Sequence, residues 1–322
     1  MRDKVTKITR SMKRITALLT LFLAMTFISC KSGKTVGENP FFAEWETPYG
    51  VPPFDKIEPE HFLPAIERGM SLHDAEIDAI TSNNDEPTFE NTILAYDNAG
   101  QMLAQTELIF GMLCAAETNE RMQALQEQVM PLLSAHRDKI RLDEKLFARV
   151  KDVYDRRASL GLDAEQSRLL RKTYDAFVRS GALLDAGQKA RLKEINGELS
   201  LTAVKFGNNI LAENNNFALE LTADDLEGLP SGVRDAAREK AQAMGKGDKW
   251  VFTLHKPSLI PFLTYSAKRD LREKIYKAYL NRCNNGDQYD NKQLINDFIR
   301  LRTEKAKTVS YTHLTLPTIL LV

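Results

Sequence analysis

The chain has 322 residues, with 43% hydrophobic and 27% charged side chains and three cysteines. This composition is typical of a globular protein and excludes collagen-like, low-complexity and disulfide-rich classes. The formal net charge is zero, but residues 1–29 contain six basic side chains and one acidic side chain. The rest of the chain contains 38 basic and 43 acidic side chains. This mildly acidic body predicts that nucleic acid is not a partner.

The first 29 residues are typical of a bacterial export signal. A basic stretch precedes residues 15–28, which are uncharged and fewer than the roughly 20 apolar residues that a membrane-spanning helix needs. Residues 27–30 resemble a lipobox, in which the cysteine after a small residue is lipidated and becomes the new N-terminus. Cys30 is therefore the predicted lipidation site, where acyl chains would hold the protein at a membrane surface. An ordinary cleaved signal with an incidental cysteine is the alternative.

Two expectations follow for the exported protein, which would be a membrane-anchored lipoprotein or a periplasmic protein. Residues 30–45 are predicted to form a tether between the anchor and a folded body. Export implies an oxidising compartment, in which Cys114 and Cys283 can form at most one disulfide. Because Cys114 lies in an apolar helical stretch, two buried free thiols are favoured over that disulfide.

Helical periodicity dominates residues 57–307 and predicts a mainly α fold. Helix starts are predicted at four aspartates, three of which have a glutamine three residues further on; the four are Asp143, Asp163, Asp185 and Asp290. Further helices are predicted at residues 59–81, 88–116, 120–139 and 266–282. Residues 216–221 and 250–254 have strand character and are predicted to pair as a small two-stranded β-ribbon.

The sequence reveals no catalytic or metal-binding motif. An H-E-x-x-H zinc site needs two histidines four positions apart on one helix, and the closest pair among the five histidines is twelve apart. A site built from distant histidines remains open, although nothing in the sequence favours it. Carboxylates such as Glu60 and Glu117 are interpreted as solvated helix faces. We therefore predict no catalytic residue and no metal ligand in this chain.

Nine segments, hereafter the family segments, resemble one group of proteins and occur in the same order as in that group. They are residues 39–42, 45–62, 87–93, 195–200, 228–230, 250–254, 257–263, 270–273 and 301–306. No segment is decisive alone, but the series resembles the thimet-oligopeptidase-like zinc metallopeptidases, and within them the bacterial peptidyl-dipeptidases (dipeptidyl carboxypeptidases).

The resemblance implies an elongated helical protein split by a deep channel that admits short, unfolded peptides. It also implies a zinc ion, held in the C-terminal half by H-E-x-x-H and a later glutamate, and removal of C-terminal dipeptides. The present sequence departs from that pattern because it lacks the zinc-binding half. Residues 46–308 would accordingly be the helical N-terminal region of such an enzyme, and this fragment by itself would be inactive.

The C-terminal residues 309–322 are predicted to be non-native. Residues 309–318 correspond to one reading frame of a transposon-end adapter used in sequencing libraries, so the sequence read is expected to leave the gene near Thr308. A natural apolar C-terminus is the alternative. The resulting interpretation is a truncated N-terminal part of an exported zinc peptidyl-dipeptidase. The rival is a non-enzymatic helical envelope lipoprotein that binds peptides or a protein partner.

Overall fold

A computed structural model describes residues 39–309 of the chain, so the predicted signal, Cys30 and residues 310–322 lie outside the described part. Those described residues form ten α-helices of at least ten residues and two short strands. In chain order they are α1 (Pro59–Thr81), α2 (Gln101–Ala116), α3 (Glu120–Arg141), α4 (Glu144–Asp155), α5 (Ala164–Arg179), α6 (Ala186–Asn216), β1 (Leu219–Leu221), α7 (Ser231–Ala243), β2 (Trp250–Phe252), α8 (Lys256–Tyr265), α9 (Arg269–Leu280) and α10 (Lys292–Val309). The predicted mainly α fold with a two-stranded element is confirmed.

The chain divides into two units, one ending at Ala65 and the other starting at Ile66. In the first unit, the Phe41 ring packs against Phe62, with ring centroids 5.3 Å apart. The Asn39 amide donates to the His61 carbonyl over 2.9 Å, and the Trp45 indole N–H donates to the Pro40 carbonyl over 2.8 Å. Residues 39–45 belong to the predicted tether, but in the structure they pack against other residues of the first unit.

In the second unit, a large core forms around Phe177 of α5, whose side chain is fully buried. Its ring packs against Phe147 of α4 and against Tyr96, with centroids 6.0 and 5.3 Å apart. Apolar residues of α1, α3, α4 and α5 complete this cluster. The buried positions of α4 are Leu146, Phe147, Val150 and Val153, a spacing of i, i+1, i+4 and i+7 that is typical of one buried helix face.

Three of the four predicted aspartate caps are present. The Asp143 carboxylate accepts a hydrogen bond from the Leu146 amide over 2.7 Å. Asp163 with Gln166 and Asp185 with Gln188 form reciprocal capping boxes. These contacts satisfy amide groups that the first helical turn leaves without a partner.

The predicted start at Asp290 is wrong in detail. Helix α10 begins at Lys292, and the Asp290 carboxylate accepts from the Lys292 and Gly286 amides, over 2.9 and 2.8 Å, rather than from Gln293. The helix ends at Val309, whose buried side chain packs with Leu142 and Leu192. Val309, the first residue of the predicted non-native tail, thus packs on the helical body.

The predicted helix over residues 88–116 is broken in the structure. A π-helical turn, Phe89–Leu94, leads into one short α-helical turn, and α2 starts only at Gln101. Gly100 sits at the break with φ of +77°, where a Cβ atom would lie 2.8 Å from the His73 imidazole. The left-handed conformation and the close approach of the His73 side chain both favour glycine at this position.

The β-ribbon is antiparallel and pairs Leu219 with Phe252 and Leu221 with Trp250. Both strand leucines are buried against helices α7, α8 and α9 in a separate apolar cluster. The Phe252 ring meets Phe262 of α8 with centroids 4.5 Å apart. The ribbon thus packs against α7, α8 and α9 in one apolar cluster.

None of the described helices is long and apolar enough to cross a membrane.

Candidate functional site

A groove of about 1,690 Å³ opens between α3, α5, α6 and α10 in the second unit. This volume exceeds the roughly 300–1,000 Å³ of most small-molecule pockets, so the groove suits a ligand of peptide size. Its apolar lining includes Leu199 and Val204 of α6 and Phe298 and Ile299 of α10. The Ile299 side chain is 61% exposed. Helix α10 therefore presents part of its apolar face to solvent at the groove.

A three-residue polar network joins three of the four groove helices. The Asn196 amide donates to Asp138 Oδ1 over 2.8 Å, and its own Oδ1 accepts from Lys305 Nζ over 2.6 Å. Burial lowers the pKa of the Lys305 ammonium, although the negative charge of Asp138 opposes that change. Burial also raises the pKa of the Asp138 carboxyl, against the opposing effects of Asn196 and Lys305. Both charges are thus incompletely compensated in this structure.

Basic side chains outnumber acidic ones in the groove by seven to two. The acidic residues are Asp138 and Asp175; the basic ones are Arg137, Arg141, Lys172, Arg179, Arg302, Lys305 and Lys307. Since residues 30–322 carry more acidic than basic groups, this positive lining is a local feature. A concave surface of one charge concentrates the field and attracts ligands of the opposite charge.

The basic groups of the groove differ in how they are held. Arg137 pairs with Glu107 over 2.7 Å. The guanidinium of Arg141 lies 5.4 Å from the Phe177 ring centroid, and that of Arg302 lies 4.6 Å from the Phe298 centroid. A further three, Lys172, Arg179 and Lys307, have no carboxylate oxygen within 4.0 Å among the described residues. The groove therefore holds positive charge that the described chain does not neutralise.

Folding brings two histidines together that the sequence places far apart. His136 Nε2 lies 3.2 Å from His73 Nδ1, and its Nδ1 lies 3.8 Å from an Asp74 oxygen. The second Asp74 oxygen pairs with Lys139 over 2.8 Å. Burial lowers the pKa of both imidazoles, although Asp74 opposes this change in each. The sequence gives no signal for this pair, because the two positions are 63 residues apart on different helices.

The pair does not amount to a metal centre. No group of three or more His, Cys, Asp or Glu side chains able to hold a metal ion occurs in residues 39–309. His61, in the first unit, has a structural role, since its Nδ1 accepts from the Glu58 amide over 3.0 Å. The expectation of no catalytic residue and no metal ligand remains a prediction for the chain as a whole.

The two described cysteines are free thiols, as the sequence favours. Cys283 is buried and Cys114 is half-buried, so the prediction of two buried thiols holds fully only for Cys283. Burial raises the pKa of the Cys114 thiol to about 11 and also raises the pKa of Cys283. Neither thiol has the lowered pKa that marks a nucleophilic cysteine.

Sequence comparisons identify the relatives of this chain. The model of peptidase family M3 matches residues 262–316, a match that includes the first part of the predicted tail. Dipeptidyl carboxypeptidase of Escherichia coli (strain K12) is 35% identical over 276 residues, which are 85% of this chain and 40% of that protein. By sequence, this chain is similar to the peptidases of family M3. The predicted family resemblance is confirmed.

Other relatives within family M3 give the same coverage. Dipeptidyl carboxypeptidase of Salmonella typhimurium (strain LT2) is 33% identical over 276 residues, 85% of this chain and 40% of that protein. Oligopeptidase A of Escherichia coli (strain K12) is 26% identical over 270 residues, 82% of this chain and 40% of that protein. The chain thus spans about 40% of the length of the curated M3 relatives it matches.

Two of the family segments meet in the groove. Asn196 belongs to the segment 195–200 and Lys305 to the segment 301–306, and their side chains share the 2.6 Å hydrogen bond described above. Both segments are family segments, but the sequence does not predict that they contact each other. The groove is therefore lined partly by residues of the family segments.

Proposed function

We propose that this chain is the N-terminal helical part of an exported zinc peptidyl-dipeptidase that removes C-terminal dipeptides from short, unfolded peptides. The observation that carries the proposal is the 35% identity to dipeptidyl carboxypeptidase over 85% of the chain. The curated relatives are longer, and the proposal assigns the zinc-binding part to sequence beyond the region that this chain shares with them.

In this proposal the groove between α3, α5, α6 and α10 forms part of the wall of a peptide channel. Its volume suits an extended peptide, and it combines apolar contacts with hydrogen-bonding groups, as peptide sites do. The chain would bind and orient substrate but would perform no chemical step.

The described residues do not fit a zinc site, since residues 39–309 contain no suitable group of three ligands. No catalytic step is therefore assigned to them. The zinc ion of the proposed full-length enzyme would need ligands from the remainder of the polypeptide.

Membrane attachment is the second part of the proposal and rests on the sequence of residues 1–30. Lipidation of Cys30 would hold the helical body at the surface of a membrane. We expect Cys30→Ala to move the protein from the membrane fraction to the soluble fraction or to leave it unprocessed. Cys114→Ala is the control, and fatty-acid labelling that persists in Cys30→Ala would contradict the proposal.

The activity is tested by sequencing the gene locus past codon 307 and expressing the whole reading frame. We expect an in-frame H-E-x-x-H, and chelator-sensitive release of C-terminal dipeptides from an N-terminally blocked, unstructured peptide. Exchange of the motif glutamate for glutamine should abolish release, and the 322-residue chain alone should show none. A natural stop codon without that motif would favour the rival, a peptide-binding envelope lipoprotein.

A further inference from the structure

We propose that the groove prefers peptide segments that carry aspartate or glutamate side chains, and that Lys172, Arg179 and Lys305 set this preference. The inference rests on the proposed function, because that function identifies the ligand as a peptide. The charge of the preferred peptide comes from the groove itself.

The first observation is the excess of positive charge. The groove lining has seven basic and two acidic side chains, whereas residues 30–322 as a whole are acidic. Lys172 and Arg179 lie two turns apart on α5 and both are exposed, with Asp175 between them. Since no described carboxylate lies within 4.0 Å of either cation, both can pair with an incoming carboxylate without breaking an existing ion pair.

The second observation concerns Lys305 of α10. Its ammonium has three N–H donors, and its one hydrogen bond in the structure goes to Asn196 Oδ1, a neutral acceptor. Asp138 is linked to Lys305 only through the Asn196 amide. A carboxylate entering the groove could accept a charge-assisted hydrogen bond from the remaining donors, and such bonds are stronger than neutral ones.

A neutral or basic peptide cannot make these contacts. A neutral side chain leaves the cations unpaired, and a lysine adds like charge to the groove. Each exposed ion pair contributes little, so two or three together predict binding about tenfold tighter for an acidic peptide than for its amide counterpart at low salt. Because exposed pairs are screened, the preference should decrease as ionic strength rises.

The test measures fluorescence anisotropy of labelled, unstructured peptides binding to the 322-residue chain. Three peptides of equal length carry glutamate, glutamine or lysine at the same positions. All have amidated C-termini, so that no terminal carboxylate contributes. We expect the glutamate peptide to bind most tightly and the lysine peptide most weakly.

The variants identify where the preference arises. Lys172→Ala with Arg179→Ala should reduce the glutamate-over-glutamine ratio at least about threefold, and Lys305→Met should also reduce it. Arg168→Ala with Arg171→Ala is the matched control, since it removes two exposed charges from α5 outside the groove lining. Equal helical circular dichroism and equal thermal midpoints establish that each variant is folded like the parent.

Three outcomes would overturn the inference: equal binding of the glutamate and glutamine peptides, no binding of any peptide, or an equal loss in the control variant. None of these decides whether the full-length protein releases C-terminal dipeptides, although an absence of all peptide binding would also contradict the proposed role of the groove as a channel wall. Conversely, acidic preference in a chain whose locus encodes no peptidase would support the inference about the groove and contradict the proposed function.

Discussion

The Arg191 guanidinium holds the Glu304 carboxylate with two hydrogen bonds, 2.7 Å from Nε and 3.0 Å from Nη2, although 113 positions separate the two residues. This bidentate pair joins α6 to α10 one residue away from the Lys305–Asn196 contact. Arg191 lowers the pKa of the Glu304 carboxyl mainly through these hydrogen bonds. Two neighbouring polar contacts therefore join α6 to α10 beside the groove.

We predict only a small coupling energy for Arg191 and Glu304, because both side chains are more than a third exposed and screened by water. A double-mutant cycle with Arg191→Gln and Glu304→Gln, measured by urea unfolding, checks this value. A second cycle combines Arg191→Gln with Glu273→Gln, which makes no contact with Arg191, and should give a coupling near zero. A coupling as large as that of a buried ion pair would contradict this prediction.

The His73–His136 pair predicts acid sensitivity. The pKa of both imidazoles is lowered in the folded state. As the pH falls below the ordinary value of 6.5, these histidines therefore bind protons more readily in the unfolded chain than in the folded chain. The stability that the neutral pair contributes is therefore present above pH 6.5 and is lost as the pH falls below it. His136→Gln should remove part of this loss.

The measurement is the free energy of unfolding in urea from about pH 7.5 down to about pH 5, a range that spans the ordinary pKa of histidine. The stability advantage of the parent chain over His136→Gln should shrink as the pH falls. His255→Gln, at an exposed histidine, gives the baseline for replacing an imidazole elsewhere in the chain. An advantage that grows toward acid pH would mean that protonation strengthens the pair, through Asp74, and that the predicted sign is wrong.

Gly228 is predicted to tolerate no side chain. Its φ is +83°, and a Cβ atom would lie 2.3 Å from the Tyr265 carbonyl oxygen and 2.9 Å from the Ala267 amide nitrogen. Both neighbours are backbone atoms that cannot rotate away. Gly228→Ala should therefore cost more than the roughly 1–2 kcal/mol of the left-handed conformation alone.

The matched control for Gly228→Ala is Gly245→Ala. Gly245 has φ of +70°, but no neighbouring atom lies within 4 Å of the place that its Cβ would take, so this variant isolates the conformational cost. Thermal unfolding of both variants should show the larger loss for Gly228→Ala. Equal losses would show that the loop carrying Gly228 moves away from Tyr265 at little cost.

Phe177 is predicted to be a sensitive position of the core that α4 and α5 share. Its ring is fully buried between Phe147 and Tyr96, so Phe177→Ala removes contacts and leaves a cavity. We expect a loss of about 3–5 kcal/mol in the free energy of unfolding. Leu183→Ala, at a side chain that is 62% exposed, should change stability by less than about 0.5 kcal/mol. Similar losses in both variants would contradict the assigned core.

Local chemistry made much of the fold predictable. A cap depends on groups within three residues, which is why Asp143, Asp163 and Asp185 marked real helix starts. Asp290 shows where this reasoning fails. Its neighbour Asn291 is buried, accepts a hydrogen bond from Asn209 and donates to the Phe206 carbonyl, so contacts with α6 shift the start of α10 to Lys292.

The sequence by itself determined the helical character, the β-ribbon and the relationship to family M3, because periodicity, caps and family segments are all written in neighbouring residues. Only the tertiary structure decided which distant residues meet. His73 with His136, and Asn196 with Lys305, are 63 and 109 positions apart. The neighbouring sequence of a residue determines on which face of its helix the side chain lies. It does not determine which other helix packs against that face, because this depends on the packing of all the helices in the unit.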